Sequence, residues 1–389
     1  MSARLPAAAW TARADLAALV AALGPDNARY VGGAVRDTLL GLAVKDIDMA
    51  TPLAPEAVVE RLAAAGIRTV PTGIAHGTVT AILAQGPVEI TTLRHDVSTD
   101  GRRATIAYAQ DWQDDAARRD FTINALYADP VSREVFDWFG GLADLAGRHV
   151  RFIGDARQRI REDHLRILRF FRFQARFGSA PADVASESAC AELAATLKGL
   201  SRERIAMELL NLLALPDPAP TLARMAHLGV LGVILPEGDP DRLAALVSAE
   251  RAAGVAPDPM RRLAALLPPD PATAEQVAAR LRLSTAQRKR LATAAARAGD
   301  PADNARALAY RLGRAEAIDR LLLAGRDLAA LENWDIPRLP IKGADVVARG
   351  VGAGPQVARV LRAVEARWVA EGFPDAARVQ VLLDEALDS

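Results

Sequence analysis

The sequence predicts an α+β protein: an N-terminal α/β head with a small mixed sheet, followed by an all-helical neck, body and tail. Three observations carry this. Short β-like runs, separated by Gly- and Asp-containing turns, occupy about the first 150 residues, with helical patterns between them. From about Asp155 onward the apolar residues recur at the 3.6-residue period of a helix, and strand-like alternation almost vanishes. Pro-containing breaks then punctuate the helical part at 215–218, 257–259, 267–271 and 339–340.

Taken in order, the β-like runs are Arg29–Val31, Lys45–Met49, Val79–Leu83, Val88–Leu93 and Ala104–Tyr108, with helical patterns over Ala34–Leu40 and Pro55–Ala65. The remainder reads as roughly ten helices, with no fixed repeat that would indicate a solenoid. The expected divisions are a head over 1–145, a neck over 146–215, and a body and tail over 216–389.

The composition narrows the function classes. The chain has 389 residues, 51% of them apolar, enough for several cores without a covalent or metal staple. Cys190 is the only cysteine, which excludes an intramolecular disulfide and a multi-cysteine zinc site and suits a reducing, cytoplasmic setting. No run approaches the roughly 18 apolar residues of a membrane span, and the N-terminus makes a poor signal peptide. No membrane partner is therefore expected. The 48 basic and 48 acidic residues cancel, which argues against a diffuse polyanion-binding surface but not against a local one. The five His show no metal-ligand spacing. His95-Asp96 lies inside the head with no further ligands in order, so no metal-dependent phosphohydrolase domain is expected.

The sharpest local pattern is Val31-Gly32-Gly33-Ala34-Val35-Arg36-Asp37, followed by Asp46-Ile47-Asp48. Two glycines after a strand let the backbone approach a phosphate chain, and the helix that follows presents free N–H groups to it. Gly32, Gly33 and Arg36 are thus candidates for cradling a triphosphate. Asp46 and Asp48 lie two apart on a predicted strand, so their carboxylates share a face. Such a pair suits Mg²⁺, which prefers oxygen ligands, and two metals there would clamp the attacking and leaving oxygens of a phosphoryl transfer.

This stretch resembles the first motif of the class II tRNA nucleotidyltransferases and bacterial poly(A) polymerases, members of the polymerase-β-like nucleotidyltransferase superfamily. The resemblance continues through ordered motifs over about 200 residues. Glu89, in Val88-Glu89-Ile90-Thr91-Thr92-Leu93-Arg94, offers a third carboxylate. It could complete the metal ligation or accept the proton of an attacking 3′-hydroxyl; the plainer alternative is a solvated strand Glu paired with Arg94. Asp100-Gly101-Arg102-Arg103 resembles the family's flexible loop, or is simply a hairpin turn. The loop region is undeleted, and the resemblance then implies full addition of C, C and A.

In Arg118-Arg119-Asp120-Phe121-Thr122-Ile123-Asn124, an Arg fork can donate to phosphate or hydroxyl, Asp120 can accept from a ribose hydroxyl, and Asn124 can bond a sugar or phosphate. The resemblance implies that Arg119 and Asp120 recognise ribose, selecting NTP over dNTP. Gly140-Gly141 resembles the family's link between head and neck, a hinge or an ordinary turn. In Glu162-Asp163-His164-Leu165-Arg166, Asp163 and Arg166 fall three apart on one face of a predicted helix, placing an acceptor beside a donor fork. The resemblance implies that these two read the base edge of CTP and then ATP. Arg169 extends an Arg-rich stretch, eight arginines against three carboxylates over 151–176, which suits triphosphate and RNA backbone. Phe170, Phe171, Phe173 and Phe177 are expected to pack the neck. Ser201 is expected to cap a helix that braces this one, and the glycine turns at 343 and 350–354 could contact tRNA phosphates or merely connect helices.

The combined expectation is Mg²⁺-dependent, template-independent addition of C, C and A to the tRNA acceptor end from CTP and ATP, with no obligate protein partner. The alternatives are a poly(A) polymerase, a CC- or A-adding enzyme and a non-catalytic RNA-binding protein. The acidic C-terminus and the absence of a Gly-Arg-Arg-Phe element near Thr72–Thr78 separate the chain from the polymerases.

Overall fold

The structure, a computed structural model, describes residues 3–74, 77–99, 104–109, 111–298 and 304–388. The expected flexible loop Asp100–Arg103 lies outside them. The chain forms two compact units, residues 1–236 and 237–389.

The first unit contains a seven-stranded mixed sheet. Its strands are β1 (Arg29–Val31), β2 (Ile47–Thr51), β3 (Thr69–Gly73), β4 (Thr78–Leu83), β5 (Gly86–Thr92), β8 (Tyr127–Ala128) and β9 (Val135–Phe136), ordered β3-β4-β5-β2-β1-β8-β9. The strands β6 (Arg94–Thr99) and β7 (Ala104–Tyr108) pair separately as an antiparallel ribbon. Within the large sheet only β2 and β5 run parallel, with Ile47 beside Val88, Asp48 beside Glu89 and Met49 beside Ile90. Ile47, Met49, Val88 and Ile90 are buried, whereas Asp48 and Glu89, one residue out of phase, face the other side of the pleat. Alternation along β2 and β5 therefore lifts both carboxylates off the core.

The expected strand Lys45–Met49 starts later, at Ile47, so Asp46 sits just before the strand. Helix Pro55–Ala64 covers β4 with buried Val58 and Leu62. Helix Gly33–Leu39 follows β1 directly and packs on β1 and β2, which sets Arg36 near the two aspartates.

Beyond the sheet this unit is helical. Helix Arg166–Phe177 buries Ile167, Leu168, Phe170, Phe171, Phe173 and Phe177, and Phe121 reaches Phe173 with ring centroids 5.0 Å apart. The four phenylalanines thus serve packing, as expected, and turn the arginines of the same helix outward. Helix Arg202–Leu213 packs against it. Ser201 occupies the N-cap position of that helix, but its side chain makes no capping bond.

The second unit, among its described residues, is wholly helical. From Ala156 to Leu387 the described residues form fifteen α-helices rather than about ten. Several are short and separated by brief turns that leave the apolar period uninterrupted, such as left-handed Gly229 between helices Ala219–His227 and Val230–Ile234. Asp239, Asp258 and Asp270 each cap a helix whose first residue is proline, so these Asp-Pro pairs are starts as well as breaks. Trp368, Val364, Val379, Leu382 and Leu383 form one core of this unit. A buried ion cluster lies elsewhere in it: Glu250 accepts from Arg262 at 2.8 Å and faces Arg261 at 3.1 Å, while Asp319 accepts from Arg290. No helix of the described residues is long and apolar enough to cross a membrane.

Candidate active site

Gly33, Arg36, Asp46 and Asp48 line one side of a cavity of about 500 Å³ in the first unit; Arg172, Arg176 and Asn211 line another. The glycine pair differs residue by residue. Gly32 adopts φ +64°, and a β-carbon there would meet Arg119 Nη1 at 3.2 Å, so its close approach is to the protein itself. Gly33 opens onto the cavity.

The carboxylates are electrostatically strained. Burial pushes Asp48 above the usual carboxylate range, the neighbouring charges of Glu89 and Asp46 push it further, and Arg119 only partly counters them. Among the described residues, no hydrogen bond or ion pair joins Asp46, Asp48 or Glu89 to a protein cation. No cluster of three or more His, Cys, Asp or Glu among those residues could hold a metal by protein ligands alone. This donor set fits a hard cation that keeps waters and takes substrate phosphate oxygens: Mg²⁺ uses one or two carboxylates in that way. Asp46 and Asp48 are the residues that would hold it.

Beside the carboxylates runs a continuous polar chain. Arg36, only 6% exposed, donates Nε to Asp37 at 2.8 Å and Nη1 to Asn124 Oδ1 at 2.5 Å, and its Nη2 pairs with Asp37 at 2.7 Å. Asn124 Nδ2 donates to Asp120 Oδ1 at 3.0 Å. Asp120 Oδ2 accepts from Arg169 Nε at 2.7 Å and Nη2 at 2.6 Å. Burial alone would raise the Asp120 carboxyl, but Arg169 and the Asn124 amide hold it below the ordinary range. Glu208, 3% exposed, closes the chain, facing Arg169 at 3.8 Å and accepting from Arg172 Nε at 2.6 Å. The structure thus brings Arg36, Asn124, Asp120 and Arg169 into one network.

Arg119 is set by a second group. It donates Nε to the Tyr127 hydroxyl at 3.0 Å and pairs with Asp115 at 3.4 Å; the Tyr127 hydroxyl itself donates to Asp115. Asp115 is fully buried and also pairs with Arg118. Burial works against its charge, yet Arg119 and Arg118 hold its carboxyl below the usual range. Asp115 and Glu208 were given no role by sequence reasoning; Glu208 meets partners distant in sequence, whereas the i,i+3 and i,i+4 spacing of Asp115 to Arg118 and Arg119 was the signal that could have found it.

Asp163 and Arg166 depart from expectation. They do not share one helix face: helix Ala156–Glu162 ends before Asp163, whose backbone is extended, and the next helix begins at Arg166. Asp163 makes the break by accepting the Leu165 N–H at 3.1 Å, the local bonding by which Asp competes with a helix. Its other oxygen accepts from Arg204 at 2.7 Å. Arg166 donates to Glu162 at 2.6 Å and to the backbone carbonyls of Arg159 and Arg118, both at 3.0 Å.

The Gly140-Gly141 link is a buttoned turn. Asp137 accepts the N–H groups of Gly141 at 2.8 Å and Leu142 at 2.9 Å. A β-carbon on Gly141 would fall 2.3 Å from the Thr122 carbonyl oxygen.

Residues 28–151 match the family model "Poly A polymerase head domain", and residues 183–242 match "Probable RNA and SrmB- binding site of polymerase A". Among curated proteins the chain is 34% identical over 364 residues to CCA tRNA nucleotidyltransferase 1, mitochondrial, of Mus musculus, covering 89% of this chain and 83% of that one. It is 35% identical over 369 residues to the Homo sapiens protein of the same name, with the same coverage. Among solved structures, the Bacillus stearothermophilus CCA-adding enzyme in complex with CTP superposes with a TM-score of 0.70 at 26% identity, over 95% of this chain and 96% of that one. With that likeness extending from the β-sheet head through nearly the whole helical part, the chain belongs to the class II CCA tRNA nucleotidyltransferase and poly(A) polymerase family.

Proposed function

We propose that this protein adds C, C and A to the 3′ end of tRNA from CTP and ATP, releasing pyrophosphate. The observation that carries the reading is the placement of Asp46 and Asp48, with no hydrogen bond or ion pair to a protein cation among the described residues, on a cavity lined by Gly33 and by arginines. The long match to curated proteins named CCA tRNA nucleotidyltransferase supports the same activity.

The family is metal-dependent; we assign Mg²⁺ to this chain, held by Asp46 and Asp48. When bound, it supplies charge neutralisation at the α-phosphate and at the attacking and leaving oxygens. The 3′-hydroxyl of the tRNA attacks the α-phosphorus in line. Glu89 receives its proton, a role supported by its register beside Asp48 across the strand pair. Gly32 and Gly33 shape the wall along which the triphosphate lies, and Arg36 fixes that wall through Asp37 and Asn124. Asp120, aligned by Arg169 and Asn124, accepts from the ribose 2′-hydroxyl, with Arg119 donating beside it. Asp163 and Arg166 read the base edge, which requires them to exchange the Arg204 and Glu162 pairs for a base. The head (1–145) and neck (146–215) hold the nucleotide, and the body and tail (216–389) hold the tRNA. The lone, buried Cys190 suits the reducing interior of the cytoplasm.

The deciding experiment incubates purified protein and Mg²⁺ with tRNA transcripts ending before CCA, after C and after CC, supplied with CTP, ATP or both. Completion of all three and no further growth supports the proposal. Long A tracts identify a poly(A) polymerase, and extension of one transcript class alone identifies a partial enzyme.

A further inference from the structure

A second cavity, of about 380 Å³, lies within the second unit. Helix Pro240–Ala252, the ends of helices Pro259–Leu266 and Arg314–Leu323, and the turn at Ala296–Ala298 form its walls. Its floor is apolar: Leu246, Ala265 and Leu322 are buried in one small core, with Ala249 half-buried beside them. Two arginines, Arg242 and Arg297, line the same cavity. Small-molecule sites typically have volumes of about 300–1,000 Å³ and combine such a floor with a few convergent polar groups.

Arg297 is fixed by the C-terminal end of helix Pro259–Leu266, where a cation is favoured. Its Nη1 donates to the Ala264 carbonyl at 3.1 Å and its Nη2 to the Leu267 carbonyl at 2.6 Å. These two bonds leave three of its five N–H groups for another acceptor. The carbonyls are dipoles rather than charges, and among the described residues no carboxylate pairs with this half-buried guanidinium. Burial, and then the like charge of Arg242, press Arg297 below the ordinary guanidinium range. Arg242 reaches Asp239 through Nε at 3.1 Å, a pair that water weakens. Counting Asp239, the two arginines leave one uncompensated positive charge over an apolar floor.

We propose that this cavity binds a small amphipathic monoanion, a carboxylate on an apolar body, with its head between Arg242 and Arg297 and its body on Leu246, Ala265 and Leu322. A guanidinium fork meets a carboxylate through parallel N–H···O bonds, and one negative charge balances what the arginines leave over. A bare phosphate, free or in an RNA backbone, brings no apolar surface to the floor. A neutral apolar ligand covers the floor but leaves Arg297 uncompensated. The carboxylate with an apolar body does both, because its burial also removes apolar surface from water. The site lies wholly in the second unit and does not depend on the nucleotidyl-transfer reading.

The test titrates the full-length protein calorimetrically with octanoate, with octan-1-ol as the uncharged body and with acetate and inorganic phosphate as charges without a body. Octanoate is expected to bind about tenfold or more tightly than octan-1-ol, the effect of one charge-assisted bond, and acetate and phosphate not measurably. Arg297→Gln is expected to bring the two affinities together. Arg242→Gln, at an exposed side chain where folding is expected to survive, narrows the same ratio and carries the test if Arg297→Gln does not fold, which melting checks. Ala249→Leu fills the floor and is expected to weaken both ligands about tenfold, which ties the binding to this cavity. Octanoate no tighter than octan-1-ol on the wild type, a ratio unmoved by the arginine variants, or unchanged affinities in Ala249→Leu would each overturn the site. Loss of tRNA affinity in Arg242→Gln, from a protein that takes no octanoate, would assign these arginines to nucleic acid and overturn it too.

Discussion

Asp48 and Glu89 are direct partners across the one parallel strand pair of the head sheet, so two carboxylates stand side by side on the same face, roughly one strand spacing of 4.8 Å apart. Asp46 adds a third negative charge nearby. Arg119 offsets only part of this repulsion, and a cation from solution would offset more. Asp48→Ala is therefore expected to lower nucleotide incorporation by about a thousandfold or more while leaving tRNA affinity in a filter-binding assay unchanged. Incorporation at the wild-type rate would remove Asp48 from the metal site.

The Asp120 carboxyl is held below its ordinary value by Arg169 and Asn124, against the opposing effect of burial. A depressed folded value means that the unfolded chain binds more protons in the acid range. The stabilisation is thus fully present above the ordinary carboxylate value near pH 4 and is lost as pH falls through the folded value. Asp120→Asn removes that dependence. Melting temperatures recorded between pH 3 and pH 7 should converge for wild type and variant toward the acid end, with the wild type more stable at neutral pH.

Asp120→Asn also tests sugar choice. The amide keeps the shape but weakens the grip on Arg169, so the ratio of CTP to dCTP incorporation should fall about tenfold or more, a loss of the order expected for a charge-assisted bond. A ratio equal to that of the wild type would place ribose recognition elsewhere.

In the second unit, Glu250 is 2% exposed and serves two buried arginines, Arg261 and Arg262. Removing one member of a buried ion group strands charge in a low-dielectric interior. Glu250→Ala should cost about 3–5 kcal/mol of stability in urea unfolding, with no direct effect on nucleotide affinity in the first unit.

Gly141→Ala would drive a β-carbon to 2.3 Å from the Thr122 carbonyl oxygen, a contact no side-chain rotation relieves. The expected loss is about 2–3 kcal/mol, read from chemical denaturation. A fully stable Gly141→Ala protein would mean that the turn after Asp137 yields easily, as a hinge would.

Much of this was legible in the chain. Val88, Ile90 and Thr92 alternate with Glu89 and Thr91 as a half-buried strand must, so both the strand and the outward carboxylate could be read from period alone. β8 and β9, two residues each, are too short to carry a period and exist through pairing with β1 and with each other. The break at Asp163 was hidden because Leu165, Ile167 and Leu168 continue an apolar rhythm across it; what stops the helix is one side-chain-to-backbone bond. The role of Glu208 was invisible for a related reason: it meets Arg172, 36 residues away, a pairing that follows from tertiary packing. Asp115 was half legible, because Arg118 and Arg119 stand three and four residues on, while its bond to Tyr127, 12 residues away, comes from packing.

The chain of bonds from Arg36 through Asn124 and Asp120 to Arg169 has a practical corollary for anyone reshaping this catalyst. The atoms proposed to choose the sugar also join the sheet part of the first unit to helix Arg166–Phe177, so single changes there are expected to loosen the scaffold as well. A library randomised at position 120 alone would mostly return weakened folds with unreadable phenotypes. Diversifying Asn124, Asp120 and Arg169 together, so that charge and hydrogen bonds are replaced as a set, keeps the strut while its chemistry changes.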